Sequence, residues 1–188
     1  TATDTHLDLA VIEHPRSRLD AVELVPFEAV IAAGIDAVMS THIRLPALDP
    51  TEGLPPALSR PLLTGLVRTG LGFSGLVFTD SMSMHAISRR FGNEKAAAMA
   101  VAAGADVVLD PPDPEAALRG IREAVDRGDI PREQLDRSVE RLPRAKARLG
   151  LPRARTVDVE AVPAGLGGRT RHAVAVEIAS RAMTLAKD

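Results

Sequence analysis

The sequence predicts an α/β fold built on a parallel sheet, and three observations support this prediction. Short apolar segments alternate with longer helical segments between residues 26 and 149, an order typical of parallel strands joined by right-handed crossovers. The strand-like segments are continuously apolar, as expected for strands buried on both faces. With 188 residues, of which 45% are hydrophobic and 26% charged, the chain can form a sizeable core.

The first half of the chain supplies two strands and two helices after an irregular opening to about Asp20. Pro26 suits the first turn of a helix and Gly34 ends it, while Ser59 suits the N-cap of the next helix. The expected elements are, in order, the helix PFEAVIAAG, the strand IDAVMS, a Pro-rich loop, the helix RPLLTGLVRTG and the strand GLVFT.

The second half continues with the alanine-rich helix NEKAAAMAVAAG and a third apolar strand, ADVVLD. Another helix is expected to open at Asp113 with Pro114 and to run through Asp126. Pro131 predicts the start of one more helix toward Leu149, which Pro143 is expected to interrupt.

A change of pattern predicts a domain boundary near residue 150. Residues 151–168, LPRARTVDVEAVPAGLGG, are punctuated by Pro and Gly without periodicity, which indicates a linker. Residues 169–188 then supply a helix, RTRHAVAVEIASRA, and the strand-like MTLAKD. This tail is expected to open another domain.

Composition narrows the classes of partner. The 23 Lys and Arg against 25 Asp and Glu give a net charge of −2, without a basic block, and there is no Trp or Tyr, so nucleic acid is not an expected partner. No apolar run reaches the length of a membrane span. The absence of Cys excludes disulfides and thiolate chemistry. The first residue is not Met, so the compartment stays open.

The segment GLVFTDSMSM places an acid, Asp80, directly after an apolar strand. Ligands of parallel α/β proteins bind at the carboxyl ends of strands, so Asp80 is a candidate catalytic group, with a helix N-cap or solvated acid as the alternative. Met82 and Met84 are expected to pack at the wall of the pocket, and with His42 they are the predicted substrate-binding residues. His42 also follows a strand and could face the same site; its alternative is a buried, satisfied polar residue.

Asp4 and His6 in TATDTH form a second candidate pair. In an extended loop both side chains can lie on one side, where the carboxylate accepts from the imidazole and raises its pKa. Such a histidine can act as a general acid that becomes a base. The alternative is a loop turn with a local hydrogen bond.

Other motifs give no support for a cofactor or a metal. GLGFSG matches G-x-G-x-x-G, but it precedes a strand, whereas dinucleotide binding requires the glycines to follow a strand and open a helix. No histidine spacing typical of a metal site is present.

Three blocks together carry a family resemblance: HLDLAVIEHPRSRLDAVELVPFEAVIAAGIDAVMSTHIRLPALD, LSRPLLTGLVRTGLGFSGLVFTDSMSMHAI and AVAAGADVVLDP. They resemble glycoside hydrolase family 3, specifically bacterial β-N-acetylhexosaminidases of the NagZ type. The resemblance implies that residues 1–150 are the C-terminal part of a (β/α)8 barrel, its last three βα units. It also implies that 169–188 begin an α/β sandwich domain, and that the remainder of the barrel lies upstream.

The resemblance assigns roles by motif. Asp80 matches the nucleophile, His6 the acid/base and Asp4 the carboxylate that orients it, with Thr5 in place of the usual serine. The implied reaction is retaining hydrolysis of terminal β-linked N-acetylglucosamine from cell-wall fragments or chitooligosaccharides through a covalent glycosyl-enzyme. The family's Lys-His pair and its earlier sugar-binding Asp and Arg have no counterpart here.

Three alternatives remain open at this point. A β-N-acetylglucosaminide phosphorylase is a close variant, since a histidine acid/base does not repel incoming phosphate, and a β-glucosidase is another. The alternative from a different class is a catalytically silent fragment or a partial carbohydrate-binding module. Product analysis with and without phosphate separates the hydrolase from the phosphorylase. Cooperative melting of the chain would argue against the fragment.

Overall fold

The computed structural model describes residue 4, residues 9–166 and residues 168–184. The chain divides into two compact units, Thr1–Arg148 and Leu149–Asp188. The predicted linker over 151–168 and the second domain from 169 stay predictions. Most of the predicted strand MTLAKD lies outside the described residues.

The described residues of the first unit form a mixed α/β structure. Its strands are β1 (Ala37–Met39) and β2 (Leu76–Phe78). Its longer helices are α1 (Val25–Ala32), α2 (Pro61–Gly70), α3 (Asn93–Ala103), α4 (Pro114–Asp126) and α5 (Arg132–Arg148). Shorter helical segments are Arg16–Arg18, Leu19–Glu23, Pro56–Leu58 and His85–Ser88.

These elements confirm the predicted order of the helices and of the first two strands, and several local features differ from the prediction. The opening is helical from Arg16, earlier than expected. Helix α2 is π-helical, and the N–H of Leu71 donates to the carbonyl of Leu66 at 2.8 Å, a five-residue step. The predicted cap is confirmed, because the Oγ of Ser59 accepts from the N–H of Leu62 at 3.3 Å.

The sheet is parallel, as predicted. Strand β1 pairs with β2 in the register Val38↔Val77. The third predicted strand is reduced to one parallel bridge, Phe78↔Val107, and a further parallel bridge joins Val11 to Arg44.

Side chains replace part of the backbone ladder beside Val107, and this explains the missing third strand. The N–H of Val77 donates to the Oδ2 of Asp106 at 2.8 Å. On the other side of the bridge, the N–H of Leu109 donates to the Oγ1 of Thr79 at 2.9 Å. The segment therefore runs beside β2 with only part of a backbone ladder, which includes the bonds from the Val107 N–H to the Val77 carbonyl at 3.2 Å and from the Thr79 N–H to the Val107 carbonyl at 3.0 Å.

The carboxylate of Asp106 ties the sheet to two helices. It is fully buried and forms ion pairs with Arg68 of α2 and with Arg141 of α5, the second at 2.9 Å. The hydroxyl of Ser138, also on α5, donates to the same carboxylate at 2.7 Å. A buried charge is tolerated here because several donors surround it.

The prediction that Pro143 interrupts the last helix is wrong. Helix α5 runs through the proline from Arg132 to Arg148. Tertiary contacts hold it on both sides of that position, since Arg141 binds Asp106 and Arg148 pairs with Asp36 at 2.9 Å. These contacts offset the hydrogen bond that proline removes.

The main hydrophobic core lies beside β2. It joins Val77 of the strand to residues of α2, of α3 and of the connecting segments. Its buried members are Leu58, Leu63, Phe73, Val77, Met82, Ile87, Ala96, Ala100, Ala103 and Ala105. The alanines in this group allow α3 to approach the sheet closely. A smaller cluster of Val101, Ala124 and Ile130 joins α3 to α4.

The second unit, as far as it is described, is helical. It contains the short segments Val159–Ala161 and Val162–Gly165 and the helix α6 (Arg169–Ala182), which coincides with the predicted helix. Within the described residues, none of the helices is both long and apolar enough to span a membrane.

Candidate active site

Polar side chains follow the carboxyl ends of three neighbouring segments. His42 comes after β1, Asp80 comes after β2, and Asp110 comes after the segment bridged at Val107. Because these segments run parallel, their carboxyl ends meet at one edge, where ligands of α/β proteins bind. His42 and Asp80 were predicted, whereas Asp110 was not. The signal for Asp110 was present, since ADVVLD ends in an acid as GLVFTD does.

Asp80 is partly buried, and its surroundings fix it closely. Its Oδ1 accepts from the backbone N–H of Ser81 at 2.8 Å. The preceding residue, Thr79, is fully buried, and its N–H donates to the carbonyl of Val107 at 3.0 Å. The backbone leading into Asp80 is thus anchored to the neighbouring segment, which suits a group that must attack from a fixed position.

His42 contacts the segment that follows Asp80. It is fully buried, and its Nε2 lies 3.0 Å from the carbonyl oxygen of Ser81. A carbonyl only accepts, so Nε2 carries the proton. The Nδ1 is buried without a hydrogen-bond partner among the described residues.

Burial sets the protonation state of this imidazole. It lowers the pKa of His42 below the ordinary value of 6.5, and the bond to the Ser81 carbonyl and the charge of Asp80 oppose this only partly. His42 is therefore neutral at pH 7. It acts on the segment after Asp80 as a single hydrogen-bond donor.

Asp110 reaches the same segment from the other side. Its Oδ2 accepts from the hydroxyls of Ser81 at 2.7 Å and Ser83 at 2.9 Å. The two hydroxyl oxygens lie 2.6 Å apart. Hydrogen bonds from both serines lower the pKa of Asp110, so the exposed carboxylate is ionised at neutral pH.

The two methionines turn toward the core. Met82 is 2% exposed and belongs to the main hydrophobic cluster, and Met84 is 9% exposed. The backbone N–H of Met82 donates to the carbonyl of Leu109 at 2.9 Å. Substrate contact by Met82, Met84 or His42 stays a prediction, and what the structure adds is their contact with the protein itself.

The predicted acid/base pair is described only in part. Asp4 is an exposed residue of the described chain, and His6 lies outside the described residues. The roles of both stay predictions. Across the described residues, no group of three or more His, Asp or Glu side chains is arranged to hold a metal ion.

Known proteins are similar to this chain in sequence and in structure. A relative named beta-N-acetylglucosaminidase/beta-glucosidase from Cellulomonas fimi is 33% identical over 172 residues, covering 87% of this chain and 30% of the relative. A beta-hexosaminidase from Xylella fastidiosa (strain 9a5c) is 42% identical over 107 residues, covering 56% of this chain and 31% of the relative. The chain thus spans about a third of the length of these relatives.

A solved structure and a family model give the same result. The glycoside hydrolase family 3 beta-N-acetylglucosaminidase from Paenibacillus sp. str. FPU-7 is similar with a TM-score of 0.80 and 41% identity, over 85% of this chain and 31% of that chain. Residues 1–145 match the family described as Glycosyl hydrolase family 3 N terminal domain. The chain therefore belongs to glycosyl hydrolase family 3.

Proposed function

We propose that this chain carries the nucleophile of a retaining glycoside hydrolase that removes terminal β-linked N-acetylglucosamine. The observation that carries the proposal is the place of Asp80 at the carboxyl end of β2, where its Oδ1 accepts from the N–H of Ser81 and the carbonyl of Ser81 accepts from His42. Family membership and relatives named for this activity support it. Because the chain spans about a third of these relatives, the activity is proposed for the full-length protein.

In the proposed reaction, Asp80 attacks the anomeric carbon and forms a glycosyl-enzyme, and water then releases the sugar with its original configuration. His6 protonates the departing oxygen and afterwards removes a proton from water. Asp4 orients the imidazole. The nucleophile must stay in a fixed position, which suits Asp80 at a strand end. The acid/base must approach only when sugar is bound, which suits a histidine in a loop, as proposed for His6.

The proposal also includes the fold. We infer that residues 1–150 supply the last three βα units of a TIM-like barrel. The parallel pairing of β1 with β2, the bridge to Val107 and the similarity to the Paenibacillus structure support this. Met39 is consistent with this, since it is 54% exposed although it lies in the sheet.

Trapping the glycosyl-enzyme tests the assignment of Asp80. The full-length protein is incubated with a 5-fluoro N-acetylglucosaminyl fluoride, which forms the intermediate but slows its hydrolysis, and the labelled peptide is sequenced by mass spectrometry. The adduct is expected on Asp80. In Asp80→Asn, turnover is expected to fall by about 10⁴-fold or more without a change in melting temperature. A label on another residue, or parental turnover of the variant, contradicts the proposal.

A second candidate activity is hydrolysis of β-glucosides, because the Cellulomonas fimi relative is named for both activities. Nitrophenyl β-N-acetylglucosaminide and nitrophenyl β-glucoside compared under the same conditions decide between them. The N-acetylglucosaminide is expected to give the higher kcat/KM. Adding phosphate to both assays and analysing for sugar phosphate detects a phosphorylase.

A further inference from the structure

We propose that Asp110 is a positioning residue for Asp80, acting through the hydroxyls of Ser81 and Ser83. The proposal rests on the proposed function, since it takes Asp80 as the nucleophile. Asp110 itself is not assigned a contact with the sugar. It holds the short segment that follows the nucleophile in one conformation.

Asp110 provides a shared acceptor for two serines of this segment. A single carboxylate oxygen, the Oδ2 of Asp110, accepts from Ser81 and Ser83, which are two residues apart. The Oγ of Ser81 also accepts from the backbone N–H of Ser83 at 3.3 Å. These bonds close a small ring over residues 81–83. Asp80 is the residue immediately before this ring, and its Oδ1 accepts from the N–H of Ser81, a member of the ring. Through this bond the ring is proposed to set the direction of the Asp80 side chain.

The backbone of Asp110 adopts an unusual conformation. With a φ of +49°, it is the one non-glycine residue with positive φ within the described part of the chain. Aspartate tolerates this conformation better than most residues, yet it remains unfavourable for any residue with a Cβ. Such conformations persist where surrounding contacts determine them, and they cluster at functional sites. The contacts here are the two serine hydroxyls.

The opposing side of the segment is also held. His42 donates to the carbonyl of Ser81, while the carbonyl of Leu109 accepts from the N–H of Met82. The segment after Asp80 is therefore fixed by the chain after β1 on one side and by residues 109–110 on the other. A nucleophile displaced by about 1 Å can lose about 100-fold in rate, so a fixed segment is a catalytic requirement.

The test compares three substitutions of Asp110 in the full-length protein. Asp110→Asn keeps an acceptor oxygen and tolerates positive φ, so kcat is expected within about threefold of the parent. Asp110→Gly suits the backbone but removes the acceptor, and kcat is expected to fall about 10- to 100-fold with KM nearly unchanged. Asp110→Ala removes the acceptor and strains the backbone, so its melting temperature is also expected to fall.

The variant Ser83→Ala is a second, independent test of the ring formed by Ser81, Ser83 and Asp110. It breaks the same ring without touching Asp110, and it is expected to lower kcat while KM stays near the parental value. The double variant Ser83→Ala with Asp110→Gly is expected to be little worse than Asp110→Gly, because the two side chains act through one ring. Fully additive losses contradict the proposal.

Reference variants separate the failure of this inference from the failure of the proposed function. If Asp80→Asn loses turnover while Asp110→Gly keeps the parental kcat, only the positioning role is overturned. If Asp110→Gly raises KM alone, Asp110 contacts substrate and the positioning role is again overturned. If Asp110→Asn and Asp110→Gly lose kcat equally and their melting temperatures fall equally, Asp110 has only a structural role and the positioning role is overturned. If Asp80→Asn keeps its turnover, the proposed function and this inference both fail.

Discussion

The Nε2 of His42 donates to the carbonyl of Ser81 across 39 positions of sequence, joining the end of β1 to the residue after Asp80. The bond lies in a buried environment that lowers the pKa of the imidazole. A buried neutral histidine responds to acid differently from a surface one, because its protonation opposes folding.

The stability of the first unit should fall as the pH drops below 6.5, because the unfolded chain then binds a proton at His42 that the folded chain binds only at lower pH. The contribution of the neutral His42 to the free energy of unfolding is fully present above pH 6.5. Below that pH the free energy of unfolding falls by at most about 1.4 kcal/mol per pH unit. Urea unfolding between pH 5 and 7.5 measures it. His42→Gln, which keeps a donor but does not titrate, should show a shallower dependence. Identical slopes for both proteins would exclude His42 as the cause.

Substitution of His6 should reveal its role through the leaving group. His6→Ala should impair substrates with basic leaving groups far more than those with acidic phenolates, which depart without protonation. Asp4→Ala should show the same pattern more weakly, since it removes orientation but keeps the proton carrier. The dependence of kcat/KM on leaving-group pKa is the measurement. Equal losses on all substrates would indicate that the pair only stabilises its loop.

Loss of Asp106 should destabilise the first unit strongly. Asp106→Ala leaves Arg68 and Arg141 without their shared carboxylate and is expected to cost about 3–5 kcal/mol in the free energy of unfolding. Asp36→Ala is a matched control, because it breaks the exposed pair with Arg148 and should cost less than about 1 kcal/mol. Denaturant titration measures both variants. A cost for Asp106→Ala no greater than that of Asp36→Ala would contradict the prediction.

Gly120 should not accept a side chain. A Cβ at this position of α4 would overlap the backbone of Glu94 at the start of α3, so Gly120→Ala is expected to cost about 1–3 kcal/mol. Gly65, in α2, is the control, since the nearest atom that an added Cβ would meet there is the carbonyl oxygen of Arg60, 3.9 Å away. Gly65→Ala should be neutral or slightly stabilising. Thermal unfolding of the two variants distinguishes them, and equal melting temperatures would show that α3 and α4 can separate without cost.

The sequence predicted the elements whose signals are local. The acid after GLVFT marked Asp80, and Pro114 after Asp113 marked the start of α4, where the Asp113 side chain accepts from the N–H of Ala116. These features depend on neighbouring residues, so periodicity and capping rules suffice.

The sequence did not predict the features that depend on contacts between residues far apart in the chain. The continuity of α5 through Pro143 depends on Asp106 and Asp36, which are far away in sequence. The left-handed backbone of Asp110 and its two serine partners have no local signal beyond an acid after an apolar run. Capping and propensity rules do not include such contacts.

The replacement of ladder bonds by Thr79 and Asp106 makes part of the pairing beside Val107 depend on individual side chains. An ordinary ladder is indifferent to most substitutions, because every residue type except proline supplies the same amide and carbonyl. Beside Val107 the amides of Val77 and Leu109 instead rely on a carboxylate and a hydroxyl. A substitution of Thr79 or Asp106 can therefore weaken this pairing while the backbone bonds from Val107 to Val77 and from Thr79 to Val107 remain. The edge that positions Asp110 is thus open to evolutionary adjustment separately from the rest of the sheet.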